Sequence, residues 1–241
     1  MIKYSLKRYF NKIDKIDTYH RDYRLSKLPP YLHQVIIGLL LSDGGLERPS
    51  DNGGARLSVI ISHKNYPYIL HLYNIFEPYI DTDINILDVK VKVKIYSTVR
   101  FKTITTPFLL HYYSIFYLQE NDKMIRKVVP TSINENFTPV MLAHLIIGDG
   151  NFLESRNIIR IYTNSFEEKD VKLLSDALNK LGLNSYIIHD RNNQFIIIIE
   201  KKDLEKVQEL VMPFMHPSII YRIGVKSNND KFQYESILKN I

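Results

Sequence analysis

A chain of 241 residues with 45% hydrophobic and 24% charged side chains is ordinary globular material, long enough for one large domain or two of about 100–120 residues. It has no cysteine, which excludes disulfides and thiolate-bound zinc, and no apolar run approaching the ~18 residues of a membrane span. The net charge of +6 favours a polyanionic partner.

Residues 1–30 read as an N-terminal extension in which Lys3, Lys7, Arg8, Lys12 and Lys15 could touch a phosphate backbone. Asp14, Asp17 and Asp22 argue against a transit peptide, and no apolar signal-peptide core is present. The segment IIGLLLSDG at 36–44 predicts a buried helix, entered near Pro30 and stopped by a left-handed glycine cap at Gly44. A strand over 56–62, a helix over 66–79, a hairpin over 87–105 and a helix over 107–118 follow. This part closes on Arg126-Lys127-Val128-Val129-Pro130.

The order then repeats. Thr138 is a candidate N-cap before Pro139, and LAHLIIGDG at 142–150 again ends in Asp-Gly. A strand over 157–163, a helix over 167–181 stopped by Gly182, a hairpin over 184–199 and a helix over 202–212 precede Tyr221-Arg222-Ile223-Gly224. Residues 31–130 and 138–241 thus read as two half-domains from an internal duplication, joined by a linker over 131–137. The fold class is α+β, with the pattern αββαββα written twice.

Two details bear on chemistry. A helix C-terminus carries partial negative charge, so Asp43 and Asp149 sit where cations would be stabilising. Repetition of that misplacement suggests acids held for a purpose. The other detail is the hairpin Asp88–Lys102, whose alternation assigns Val89, Val91, Val93, Ile95, Val99 and Phe101 to one face. Lys90, Lys92, Lys94, Tyr96, Arg100 and Lys102 fall on the other. Constant parity across the turn implies a connection of odd length or a bulge. A polyanion lying on the cationic face explains the sign bias; a solvated face that blocks edge-to-edge aggregation is the other reading. Around the second hairpin, Tyr186, His189, Arg191, Asn192 and Gln194 include types that hydrogen-bond base edges. The run 195–199 suits a covered strand.

The two nine-residue segments resemble the LAGLIDADG motif of homing endonucleases. Ile36–Gly44 keeps its third, fourth, eighth and ninth letters, and Leu142–Gly150 its first, second, fourth, eighth and ninth. Two copies in one chain are similar to the single-chain, two-repeat members. The resemblance implies two pseudo-symmetric halves joined at paired motif helices, with antiparallel β-saddles for DNA. Gly38, Ser42, His144 and Gly148 would lie in the helix interface, where His144 departs from the motif's glycine and would either splay or shift the crossing or pack over Gly38. Asp43 and Asp149 would hold Mg²⁺, with Mn²⁺ as a substitute, helped by the backbone carbonyls of Ser42 and Gly148. Lys127 and Arg222 match a basic residue that follows each half's last helix and would act at the scissile phosphates. Arg56 and Arg160 join the two hairpins in the DNA-facing set.

The expected activity is metal-dependent, staggered cleavage of a long asymmetric double-stranded DNA site by a monomer encoded in a mobile intron. An RNA maturase acting on its host intron is the alternative. A transcription regulator on the same scaffold is disfavoured, because such proteins tend to lose the acids. Heavy use of Ile, Asn, Lys and Tyr, with Trp absent, fits AT-rich codons and so a mitochondrial or other organellar origin, or an AT-rich bacterium.

Overall fold

The computed structural model describes residues 28–51, 53–91, 94–121, 124–190 and 194–226. The extension's cations, Lys92, Arg191 and Asn192 lie outside them.

Helix α1 (Pro30–Leu40) starts with proline in its first turn. Helix α5 (Pro139–Asp149) starts the same way behind Thr138, whose side chain accepts from the Met141 amide at 3.3 Å. Between them lie β1 (Gly44–Glu47), β2 (Arg56–Ser62), α2 (Tyr66–Ile75), β3 (Asn85–Val91), β4 (Lys94–Lys102) and α3 (Leu109–Phe116). The short hairpin β5 (Tyr117–Asn121) and β6 (Met124–Lys127) and the one-turn α4 (Ile133–Asn136) follow. After α5 come β7 (Gly150–Leu153), β8 (Ile158–Tyr162), α6 (Glu168–Lys180), β9 (Ser185–His189), β10 (Phe195–Ile199) and α7 (Leu204–Val211). A last 3₁₀ segment, Pro217–Ile223, ends at the left-handed Gly224.

The duplication is plain in the sheets. One is ordered β1-β2-β4-β3 and the other β7-β8-β10-β9, all antiparallel, so the strands of each half occupy equivalent places. Helices α2 and α6 each cover one face of their own sheet. Helices α1 and α5 pack against each other between the halves, and α5 is buried without interruption from Val140 to Ile147. A helix apolar on every side belongs inside a protein, and this one is covered by both repeats.

Three expectations need correction. Gly44 and Gly150 are not left-handed caps: among the described residues only Gly182, Gly224 and Asn157 have positive φ, and Gly150 is extended. They open β1 and β7, and glycine is required there by proximity. A methyl group on Gly44 would lie 2.8 Å from the Leu39 carbonyl oxygen, and one on Gly150 2.5 Å from that of Ile146. The helix expected over 107–118 ends at Phe116, because the chain turns into the unforeseen β5–β6 hairpin.

The third concerns the lysine-rich hairpin. Val91 pairs with Lys94, and in this register odd positions of β3 face even positions of β4, so parity inverts between the strands. Lys90 shares a face with Ile86, the partner of buried Val99, whereas Tyr96, Arg100 and Lys102 lie on the opposite face. The cations are therefore divided between the faces.

Candidate active site

Asp43 sits in the turn after α1 and Asp149 is the last residue of α5, so the crossing of these helices brings the carboxylates together. The crossing depends on small residues. A methyl group at Gly38 would lie 2.7 Å from His144 Cβ, and one at Gly148 would lie 2.5 Å from Ser42 Cβ and 3.1 Å from Asp43 Oδ2. Ser42 Oγ donates to the Gly38 carbonyl at 3.0 Å and to that of His144, on the other helix, at 3.4 Å. His144 is 1% exposed, and its Nδ1 is hydrogen-bonded to the Tyr68 hydroxyl at 2.6 Å.

Two cations border the pair. Lys127 Nζ donates to the Gly44 carbonyl at 2.7 Å and the Ser42 carbonyl at 3.3 Å. Arg222 Nη1 donates to the carbonyls of Gly148 and Gly150, the latter at 2.9 Å. The positive charge missing from the last helical turns in sequence is thus supplied in space. Burial raises the pKa of both acids, against the pull of Lys127 and Arg222. Asp149, which also feels Asp43, reaches about 7. Burial lowers Lys127 to about 8, opposed by both aspartates.

A divalent cation fits this donor set. Burial holds both carboxyls up despite Lys127 and Arg222, and Asp43 raises Asp149 further, so a cation bound between the two acids would be favoured. Among the described residues no group of three or more His, Cys, Asp or Glu converges to cage a metal, here or elsewhere. Mg²⁺ is commonly bound by one or two carboxylates together with substrate phosphates and retained waters, and does not need an all-protein cage.

The helix-free face of each sheet carries much of the rest. On the first, Arg56 and Lys102 both pair with Glu47 at 2.7 Å, with Arg100 and the exposed Tyr96 on the same face. On the second, Arg160 donates to Asn151 Oδ1 at 3.1 Å and lies 5.7 Å from the Tyr162 ring centre. Tyr186 shares that face, since both it and Arg160 flank Ile198. His189 does not: it pairs with Phe195 on the helix-covered side, their rings 5.3 Å apart. Gln194 lies in the turn, its carbonyl accepting from the Asp190 amide. Lys94 begins β4. Ile196–Ile199 are buried, as a covered strand requires.

Glu47, Tyr68 and Asp170 escaped sequence reasoning. Nothing in the spacing of Glu47 and Lys102 marks them as partners, because strand order makes them neighbours.

The chain matches the model of the LAGLIDADG DNA endonuclease family over residues 33–207 and belongs to that family. It is 29% identical over 198 residues to the cytochrome b mRNA maturase bI2 of Saccharomyces cerevisiae, across 79% of this chain and 46% of the maturase, so it spans about half of that relative. With the DNA endonuclease I-ChuI of Chlamydomonas applanata it shares 25% identity over 203 residues, covering 79% of this chain and 93% of the other. The homing endonuclease I-WcaI, solved bound to its DNA recognition sequence, has the same fold. It superposes with a TM-score of 0.73 at 23% identity, over 86% of this chain and 92% of that one.

Proposed function

We propose that this chain is a site-specific endonuclease that cuts both strands of a long, asymmetric DNA duplex by metal-dependent phosphodiester hydrolysis. The observation that carries the reading is the pair of buried acids at the helix crossing, each flanked by a cation on its own backbone carbonyls. Asp43 and Asp149 would hold Mg²⁺ or Mn²⁺, with the Ser42 and Gly148 carbonyls as further oxygen donors. When bound, the metal supplies an activated water and charge stabilisation for the leaving 3′ oxygen. Lys127 and Arg222 offset negative charge at the scissile phosphates.

Arg56, Arg100, Lys102, Tyr96, Arg160 and Tyr186 would meet the duplex across the two open sheet faces. Phosphate contacts there set register, and base-edge contacts set sequence. One chain carries both acids, which supports a monomer. The family and the skewed residue usage support a mobile-intron product made in an organelle. The extension, Lys92, Arg191 and Asn192 are further candidates for DNA contact.

The maturase relative favours a second reading, in which the same basic faces hold a folded intron RNA. Incubating a randomised duplex library with the protein and Mg²⁺, with Ca²⁺ as a binding-only control, tests the first reading. Recovery of one cleaved site supports it. Binding without cleavage in Mg²⁺, joined to stimulation of intron splicing, would favour the maturase.

A further inference from the structure

Lys127 belongs to the first half, yet its surroundings come partly from the second. Its Nζ lies 5.9 Å from the ring centre of Phe166, which precedes α6. The neighbouring Arg126 donates through Nη1 to Asp170 Oδ2 at 2.8 Å and pairs through Nε with Glu167 at 3.2 Å. The other Asp170 oxygen accepts the amide of Val129 at 3.4 Å. One carboxylate at the start of α6 therefore grips the residues on both sides of Lys127-Val128. The Arg126 and Asp170 side chains are only 14% and 4% exposed, so neither charge can turn to water if the other is lost.

The second cation is held differently. Next to Arg222, the Ile223 carbonyl accepts from Gln208, which lies on α7 of the same half. The bond beside Arg222 stays within its own half, although the Pro217–Ile223 segment also packs on α2 of the first half, whereas the bonds beside Lys127 cross between the halves.

We propose that Asp170 is a positioning residue for cleavage: through Arg126 and the Val129 amide, the second half sets the place of Lys127 in the first half's cutting centre. This rests on the endonuclease reading. A bond made across the halves would let the second half's docking register at the first half's chemistry. A displacement near 1 Å suffices to slow such chemistry by as much as a hundredfold.

The test compares the full chain with its Asp170→Asn and Arg126→Lys variants. Single-turnover cleavage is followed separately on each strand of the selected site, with Ca²⁺-supported binding measured alongside. In both variants one strand should slow roughly tenfold or more relative to the other while binding is kept. It should be the same strand that Lys127→Met slows. Acylation by a small amine-reactive reagent, read at Lys127 against Lys102 by mass spectrometry, should rise several-fold. Equal slowing of both strands, slowing of the opposite strand, or unchanged cleavage would overturn the proposal, as would unchanged Lys127 labelling. If Asp170→Asn does not fold, Arg126→Lys carries the comparison. If the wild-type chain cuts no DNA, the endonuclease reading fails on that ground, and Lys127 labelling still decides whether the clamp exists.

Discussion

Lys127 and Arg222 serve the two helix ends in the same way, each donating to the carbonyl before and the carbonyl after an interface aspartate. They act as helix C-terminal cations brought in from distant sequence, so each motif helix can end in an acid without an uncompensated negative end. The same placement keeps positive charge beside the acids where a phosphate would arrive.

Metal affinity should depend on pH through Asp149, whose carboxyl is raised to about 7 by burial and by Asp43. Below that value a proton competes with the metal, so the Mn²⁺ dissociation constant, measured by calorimetry, should weaken about tenfold per unit as pH falls from 7 to 5. For the metal-free protein the linkage to folding runs the opposite way. A carboxyl raised in the folded state adds stability below its unfolded value near 4 and loses it as pH rises through 7. In EDTA at pH 8, Asp149→Asn should therefore unfold at higher denaturant than wild type, by a few kcal/mol at most given about 1.4 kcal/mol per pKa unit. That advantage should vanish near pH 4.

The Gly38–His144 contact leaves no room for a methyl group, which would meet the Met141 carbonyl oxygen at 2.8 Å as well as the His144 side chain. Gly38→Ala should cost about 1–3 kcal/mol in urea unfolding and slow cleavage by prising the helices apart. Adding His144→Gly should recover part of the loss, because the side-chain clash goes and the backbone clash stays.

The repeated motif, the proline-started helices and the covered strand at 195–199 were legible in sequence because each follows from local pattern. Gly44 was misread because its need for glycine comes from the Leu39 carbonyl lying against it as the chain leaves α1, a local close approach and not a left-handed φ. The Lys90 face was misread because alternation within each strand is real, but the pairing register between β3 and β4 decides how the two alternations join. Within the site, Asp43, Asp149, Lys127 and Arg222 could be picked from the motif and its echo. The Arg126–Asp170 bond and the Glu47 pairings join residues that no spacing relates.

Acid should loosen the helix interface. Burial lowers His144 to about 3 and His216 to about 4, each also disfavoured by His71. A histidine depressed in the folded state gives stability that is present above its unfolded value near 6.5 and lost as pH falls toward the folded one. In an Asp43→Asn, Asp149→Asn background, which removes the opposing titrations of both acids, unfolding free energy should drop between pH 6.5 and 4 by up to about 1.4 kcal/mol per unit for each histidine. Adding His144→Phe should flatten that slope; an unchanged slope would show that His144 does not titrate in this way.

Glu47 offsets two of the cations on the first open sheet face. Glu47→Gln should leave Arg56 and Lys102 unpaired, tightening binding to unrelated DNA and steepening its salt dependence by about one to two phosphate contacts. Discrimination between the selected site and unrelated sequence should narrow, as read by filter binding across a salt series.

The central claim is that Asp43 and Asp149, one acid from each half, together hold the metal chemistry that cuts the two strands. Its most direct test is cleavage of the selected duplex in Mg²⁺ by Asp43→Asn and by Asp149→Asn, alongside binding in Ca²⁺. Both variants should bind as wild type does while double-strand cleavage disappears. Full-rate double-strand cutting by either one would contradict the account.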